Sequence, residues 1–218
     1  MSLRCVLFDL DGTLADTAPD LLASLDYALR QRGWPVAAQP QVQPAISRGA
    51  LAMIRASLPH ANATEQQTLL TLLLDYYELH IARHTRLFPG IEALLSWLEQ
   101  HGLMWGVVTN KRQRFTLPLM RELGLYQRAA CIISGDSTAH SKPHPEPMLT
   151  ACAQIGVTPA QCLYLGDARH DITAGQAAGM TTLAASYGYI APDDDPNQWG
   201  ADGLITEPSA LRAWITLS

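Results

Sequence analysis

The chain has 218 residues, of which 48% are hydrophobic and 16% charged, a balance typical of a folded protein with a sizeable core rather than of a disordered chain. Fifteen basic against twenty acidic residues give a net charge of −5, and no run of Lys or Arg offsets it, which disfavours nucleic acid and anionic membranes as partners. No segment approaches the roughly 20 apolar residues of a membrane-spanning helix.

The four cysteines, Cys5, Cys131, Cys152 and Cys162, lie in or beside apolar segments and form no Cys-x-x-Cys pair. This spacing indicates neither a zinc site nor a disulfide framework. Buried thiols are compatible with a reducing compartment, so we expect a cytoplasmic protein.

Short apolar runs that end in polar or glycine-containing turns predict the strands of a buried sheet. The first run covers residues 5–8 and stops at an acidic turn, and later runs cover residues 105–108, 131–133, 162–165 and 181–185. From residue 87 onward these runs alternate with helix-period segments. This alternation predicts an α/β fold, a doubly wound, Rossmann-like parallel sheet with helices on both faces. Ligands are then expected at the carboxyl ends of the strands.

Residues 16–86 interrupt the alternation, because they carry helical patterns only. Leu22, Leu25 and Leu29 make one apolar stripe, and a second stripe runs from residue 69 to residue 80. A helical stretch between the first and second sheet strands is most simply a small inserted domain. We therefore predict a core domain of residues 1–15 and 87–218 and an all-helical cap domain of residues 16–86.

Acidic residues follow two of the predicted strands. Asp9 and Asp11 come directly after the first strand, and Asp167 and Asp171 follow the strand at 162–165. If these strands are parallel neighbours, their carboxylates converge at one edge of the sheet and offer only oxygen ligands, which suits Mg²⁺. Because a phosphate oxygen often completes the coordination of this ion, the sequence predicts a phosphorylated small-molecule substrate.

Polar groups that can hold phosphate oxygens follow other apolar runs. Thr109 and Asn110 place a hydroxyl and turn amides at a strand end, and Lys142 places an ammonium in a proline-stiffened loop. Each of these residues taken alone is more often a turn or surface residue. Their placement in order at the ends of predicted strands favours a phosphate site.

These residues resemble the four motifs of the haloacid dehalogenase superfamily, at residues 9–14, 108–110 and 142–143 and at Gly166 and Asp167 with Asp171. The resemblance extends almost from end to end, and the helical insert is similar to the small cap domain of that family. Within the family, the chain looks most like the phosphoglycolate phosphatase branch, through the segments at residues 11–19, 109–111 and 142–147.

The resemblance implies a phosphatase in which Asp9 is the nucleophile and is converted to an aspartyl-phosphate. Asp11 would be the general acid and then the general base. It implies Mg²⁺ held by Asp9, the backbone carbonyl of Asp11 and Asp167, with Asp171 as an outer ligand or an orienting group. Thr109, Asn110 and Lys142 would bind the transferring phosphoryl group.

Substrate choice is expected to lie in the cap, where Arg48 could bind a substrate carboxylate. Phosphoglycolate is the first candidate, and N-acetylmuramic acid 6-phosphate, another carboxylated phosphomonoester, fits equally well. Lys111 and Arg112, beside the second motif, are interpreted as surface charges in preference to contacts at the rim of the site.

Two further alternatives remain open from the motifs. An isomerase similar to β-phosphoglucomutase shares the catalytic motifs, and a receiver-type signalling domain also combines acidic residues with a Thr and a Lys. The second is disfavoured by the large insert and by an acceptor Asp at the end of the first strand. The sequence allows either a monomer or a homodimer.

Overall fold

The computed structural model describes residues 2–36 and 38–217, without the side chain of Leu217. The strands are β1 (Cys5–Phe8), β2 (Ala15–Asp16), β3 (Arg86–Leu87), β4 (Met104–Val108), β5 (Ile132–Ile133), β6 (Cys162–Gly166), β7 (Thr181–Ala185) and β8 (Gly203–Ile205). The helices are α1 (Ala18–Gln31), α2 (Gln39–Val42), α3 (Ala50–Ser57), α4 (Ala63–Leu79), α5 (Ile91–Gln100), α6 (Gln113–Glu122), α7 (Glu146–Ile155), α8 (Arg169–Ala178) and α9 (Ala210–Leu217). Short 3₁₀ turns lie at Gln43–Arg48, Pro159–Gln161 and Pro196–Gln198. None of the helices within these ranges has the length and apolarity needed to cross a membrane.

A six-stranded sheet of order β5-β4-β1-β6-β7-β8 forms the centre of the protein, and all of its strand pairs are parallel. β1 is fully buried and lies between β4 and β6, with Cys5 level with both Met104 and Cys162. The doubly wound α/β fold predicted from the apolar runs is therefore confirmed. The runs do not predict β8, because its three residues follow a polar loop and include only two apolar side chains.

The helices α1 to α4, with the 3₁₀ turn at Gln43–Arg48, form a helical segment between β2 and β3. Within it α1 packs chiefly against α4 and buries a leucine stripe. The start of α4 is fixed by Asn62 and Glu65, each of which bonds the backbone N–H of the other in a capping box. β2 pairs antiparallel with β3, so the chain leaves the sheet and returns to it through two adjacent connections.

A buried carboxylate in the first turn of α1 joins these two connections. Asp20 accepts hydrogen bonds from the backbone N–H groups of His84 and Thr85 and from the hydroxyl of Thr85, at 2.7 to 3.0 Å. Asp20 and Thr85 are both buried, so the two Thr85 donors depend on this carboxylate, whereas His84 is exposed. The side chain therefore ties the start of the helical segment to its end.

Replacing Asp20 by Ala is expected to lower the free energy of unfolding by about 2–3 kcal/mol, because buried donors lose a charged acceptor. Urea unfolding of the Asp20→Ala variant measures this loss. The same substitution at the exposed Asp193 is the matched control and should change the free energy of unfolding by less than about 0.5 kcal/mol. Equal effects at both positions would contradict the role given to Asp20.

Candidate active site

The carboxyl ends of β1, β4 and β6 bring the sequence-predicted polar residues together. The N–H of Asp9 donates to the carbonyl of Leu165 at 2.9 Å, so the chain after β1 stays beside the end of β6. Asp9, Thr109 and Asp167 follow these three strands and are all buried. The parallel register thus brings together side chains that lie 58 to 158 positions apart in the sequence.

The buried ammonium of Lys142 forms ion pairs with two carboxylates, those of Asp9 and Asp171. Its Nζ lies 2.8 Å from Oδ1 of Asp9 and 2.6 Å from Oδ1 of Asp171. It also donates to the carbonyl of Val108 at 2.9 Å and to the Tyr164 hydroxyl at 2.8 Å. The ammonium therefore has hydrogen-bond acceptors on all sides, and these offset the cost of burying its charge.

The side chain of Asn110 fixes the loop that carries Lys142. Its Nδ2 donates to the carbonyl of Lys142, and its Oδ1 accepts from the N–H of Lys142, both at 3.0 Å. The amide side chain of Asn110 is therefore engaged with the Lys142 backbone, while Asn110 also lines the cavity described below, and its binding of phosphate stays a prediction. Thr109 keeps its hydroxyl at this strand end, where it accepts from the N–H of Lys111 at 3.2 Å.

Three buried carboxylates form an acidic cluster, defined here as Asp9, Asp167 and Asp171. Each can offer one oxygen, and these oxygens lie within 4.8 Å of one another. Asp167 is oriented by the N–H of Tyr189 at 2.8 Å and by the Ser47 hydroxyl at 3.0 Å, both of which donate to its Oδ2. Ser47 belongs to the helical segment, so that segment contacts the cluster directly.

The turn after β1 has to pass very close to this cluster. A Cβ on Gly12 would lie 2.1 Å from Oδ2 of Asp167, and the backbone of Gly12 has a φ of +85°. Glycine is therefore required at this position both by space and by backbone conformation. The next residue, Thr13, donates from its hydroxyl to Oδ1 of Asp167 at 3.2 Å.

The acidic cluster carries more negative charge than Lys142 neutralises. Burial, only partly offset by Lys142, raises the pKa of Asp9 to about 7. Burial and the charges of Asp9 and Asp171 raise the pKa of Asp167 well above its usual value. Burial alone would also raise the pKa of Asp171, but the attraction of Lys142 outweighs it and holds that pKa below its usual range. An additional cation at the cluster would relieve this imbalance.

Asp11 lies apart from the cluster and has its own partners. Thr17 donates from its hydroxyl to Oδ1 of Asp11 at 2.6 Å, and Nζ of Lys111 lies 3.0 Å from Oδ1 and 3.3 Å from Oδ2. The same ammonium lies 4.6 Å from the ring centroid of Tyr77, a buried residue of α4. Asp11 is thus contacted by Thr17, just before α1, and by Lys111 in the chain that follows β4.

The interpretation of Lys111 as a surface charge was wrong, because only 7% of its side chain is exposed. Burial would lower the pKa of Lys111, but the nearby Asp11 carboxylate raises it above its usual value. The sequence signal was available, since Lys111 follows the polar end of a strand that neighbours β1. Arg112, given the same interpretation, is exposed.

A cavity of about 910 Å³ lies between the sheet edge and the helical segment. Asp9, Asp11 and Lys142 line it on the sheet side. Arg48, exposed at the end of the 3₁₀ turn, lines it on the helical side. The remaining wall combines apolar side chains with polar and charged ones; the apolar ones include Leu21, Ile46, Leu51, Met53, Leu70, Leu74 and Phe115, and the charged ones include Asp75, Lys111, Arg112 and Arg114.

A buried acidic cluster, the further carboxylate of Asp11 and the buried ammonium of Lys142 lie together at the carboxyl ends of the strands of a doubly wound sheet, an arrangement that can support phosphoryl transfer. Residues 6–185 match the family model for haloacid dehalogenase-like hydrolases. The chain belongs to this family, and it is a phosphatase of the branch that resembles phosphoglycolate phosphatases. The receiver-domain alternative is thereby excluded.

Several relatives match over nearly the full chain. A phosphoglycolate phosphatase of Xanthomonas campestris is 44% identical over 214 residues, which cover 97% of both chains. An N-acetylmuramic acid 6-phosphate phosphatase of Pseudomonas putida is also 44% identical, over 99% of this chain and 97% of the relative. The crystal structure of a predicted phosphoglycolate phosphatase from Haemophilus somnus superimposes with a TM-score of 0.89 at 26% identity, covering 98% of each chain.

Sequence reasoning gave no role to two residues that contact the site. Thr17 contacts Asp11, and Tyr189 contacts Asp167 through its N–H. The Tyr189 hydroxyl also donates to Asp16 at 2.6 Å, which links the loop after β7 to β2. Thr17 lies in the segment at residues 11–19, but that segment gives no partner for it, and no motif includes Tyr189. Both residues reach the site from loops whose positions depend on packing.

Proposed function

We propose that this chain is a Mg²⁺-dependent phosphatase for a small carboxylated phosphomonoester, with phosphoglycolate as the first candidate. One observation carries the proposal: a single cavity has Asp9 and Lys142 at one side and Arg48 at the other. The first two residues suit a phosphoryl group, and a guanidinium suits a carboxylate.

The acidic cluster fits Mg²⁺ by its chemistry. Three buried carboxylates supply only oxygen ligands, and their charge is not balanced by Lys142. Asp9, the backbone carbonyl of Asp11 and Asp167 are proposed as ligands, with Asp171 as a further ligand or as an orienting group through its contact with Lys142. The bound ion would supply charge neutralisation for the phosphoryl oxygens.

Two carboxylates carry the proposed chemistry. An oxygen of Asp9 forms a bond to phosphorus while the bond from phosphorus to the ester oxygen breaks, which gives an aspartyl-phosphate. Asp11 donates a proton to the departing alkoxide and then removes one from the water that attacks the intermediate. Hydrolysis releases inorganic phosphate, restores the Asp9 carboxylate and returns Asp11 to its protonated form. Thr109 and Lys142 are proposed to stabilise the charge of the transferring group.

The helical segment is proposed to act as a cap. Its two connections run side by side as β2 and β3, an arrangement that allows the helices to turn as one unit. Ser47 bonds Asp167 directly, so movement of this segment would change the surroundings of the acidic cluster. Closure over a substrate would exclude bulk water from the phosphoryl group.

N-acetylmuramic acid 6-phosphate is a second candidate, favoured by the size of the cavity. The cavity of about 910 Å³ is far larger than a two-carbon acid phosphate requires. The apolar side chains of its wall could pack against a substituted sugar. Both candidates carry the carboxylate that Arg48 would bind. The phosphoglycolate phosphatase and the N-acetylmuramic acid 6-phosphate phosphatase described above are each 44% identical to this chain. Sequence similarity therefore does not choose between the two substrates.

A panel of phosphomonoesters assayed for kcat/KM with Mg²⁺ tests the proposal. It contains phosphoglycolate, N-acetylmuramic acid 6-phosphate, glucose 1-phosphate and p-nitrophenyl phosphate. We expect one of the first two to be the best substrate. A preference for an uncarboxylated ester would overturn the substrate proposal, and conversion of glucose 1-phosphate to glucose 6-phosphate would support the isomerase alternative instead.

Arg48→Ala is expected to raise KM for the carboxylated substrate by about 10- to 100-fold, because one charge-assisted contact is lost, while kcat changes little. The KM for p-nitrophenyl phosphate, which lacks a carboxylate, should stay within about twofold. The matched control is Arg30→Ala, at an exposed position of α1 outside the cavity. Equal increases for both substrates would show that Arg48 does not select the carboxylate.

We also propose a cytoplasmic location. The four cysteines are all free and buried, as is usual for proteins of a reducing compartment.

A further inference from the structure

A second group of metal-binding side chains lies outside the active-site cavity. His140, His144 and Glu146 surround the Lys142–Pro143 step, but their own side chains do not line the cavity. The two histidines are exposed, and Glu146 is the partly exposed first residue of α7. The proposed phosphatase function does not use any of these three side chains.

The three side chains already converge. Nδ1 of His140 lies 2.8 Å from Oε2 of Glu146, which also accepts the backbone N–H of His140 at 3.0 Å. The two imidazole rings are stacked with centroids 4.4 Å apart. His144 is fixed from its Nδ1, which accepts the N–H of Glu146 at 3.2 Å. One ligand atom from each residue lies within 4.8 Å of the others, so small side-chain movements bring all three around one ion.

We infer that His140, His144 and Glu146 form a binding site for a divalent transition-metal ion of the Zn²⁺ type. Two imidazoles and one carboxylate are a donor set that zinc uses, with water as the remaining ligand. The exposure of the group leaves that position open to water. The acidic cluster offers oxygen alone and suits Mg²⁺, so the two sites select different ions by ligand type.

An ion at this site would join both sides of the Lys142 loop. Its ligands come from two residues before Lys142 and from two and four residues after it, the last at the start of α7. Binding to the folded protein alone stabilises it, and this ligand spacing does not exist as a fixed geometry in an unfolded chain. We therefore expect Zn²⁺ at about ten times its Kd to raise Tm by about 3–6 °C.

Isothermal titration with Zn²⁺, in a buffer with excess Mg²⁺ to fill the acidic cluster, tests the inference. Wild type is expected to bind one ion at this site, and His140→Ala and His144→Ala are each expected to weaken binding at least about tenfold. His101→Ala is the matched control, because His101 is an exposed histidine stacked on Trp97 at the end of α5. Asp167→Asn is the second control, and both controls should bind as wild type does.

Two outcomes would overturn the inference. One is unchanged Zn²⁺ affinity in His140→Ala and His144→Ala, and the other is loss of binding in Asp167→Asn alone, which would place the ion in the acidic cluster. Co²⁺ provides a readout that needs no variant. Coordination by two imidazoles and a carboxylate in a four-ligand site gives an intense visible absorption band, whereas a weak octahedral spectrum from wild type would contradict the site. None of these readouts depends on phosphatase activity, so failure of the metal site and failure of the proposed function are distinguishable.

Discussion

Asp9→Asn is expected to lower kcat by about 10⁴-fold or more, because the amide lacks the charge of the nucleophile and cannot form the aspartyl-phosphate. Steady-state release of inorganic phosphate from the best ester of the panel measures the effect. Mass spectrometry of the protein after a rapid acid quench should detect a phosphorylated wild type and an unmodified variant. Phosphorylation of the variant at another residue would remove Asp9 from its proposed role.

Loss of activity in Asp9→Asn should not come from unfolding. Burial raises the pKa of Asp9 to about 7, so the folded protein binds this proton more tightly than the unfolded chain does. The ionised side chain therefore costs stability as pH rises from about 4 to 7, and this cost is complete above pH 7. A thermal melt at pH 8 without added metal is expected to give a Tm for the variant no lower than that of wild type.

Asp11→Asn is expected to lower kcat for an alkyl phosphate by about 10²–10⁴-fold, the usual contribution of a general acid and base. Binding of Mg²⁺ and of inorganic phosphate should be largely retained, because the Asp11 carboxylate lies outside the acidic cluster and contacts Thr17 and Lys111. Stopped-flow and equilibrium titration measure turnover and binding separately.

A substrate whose leaving group needs no proton separates the general-acid role of Asp11 from its general-base role. Because p-nitrophenolate departs without a proton, Asp11→Asn should release one equivalent rapidly from p-nitrophenyl phosphate and then stall at the aspartyl-phosphate, since no base activates water. Asp75→Asn is the matched control, an exposed carboxylate that lines the same cavity, and it should turn over normally. Steady turnover by Asp11→Asn without a burst would contradict the proposed role.

The sheet and the positions of the candidate catalytic carboxylates could be predicted from local patterns. The apolar runs at residues 5–8 and 162–165 match β1 and β6 to within one residue. An aspartate directly follows each of these two strands. Parallel neighbours place such residues at one edge whatever the rest of the chain does. β2 and β3 could not be predicted, because two-residue strands leave no periodicity to read.

The helical segment shows the limit of the same reasoning. Its apolar stripes predict helices, but a stripe does not say which face meets the sheet. Only the folded chain brings Ser47 to Asp167 and Tyr77 to Lys111.

The sequence by itself determined the fold class and the chemical groups of the site, because strand burial and the order of strand-end residues are local properties. Tertiary structure alone decided which cation neutralises which carboxylate: Lys142 pairs with Asp9 across 133 positions, and Lys111 pairs with Asp11 across 100. The reason is physical. A buried charge is stabilised by groups within a few ångströms, and those distances are set by how distant segments pack.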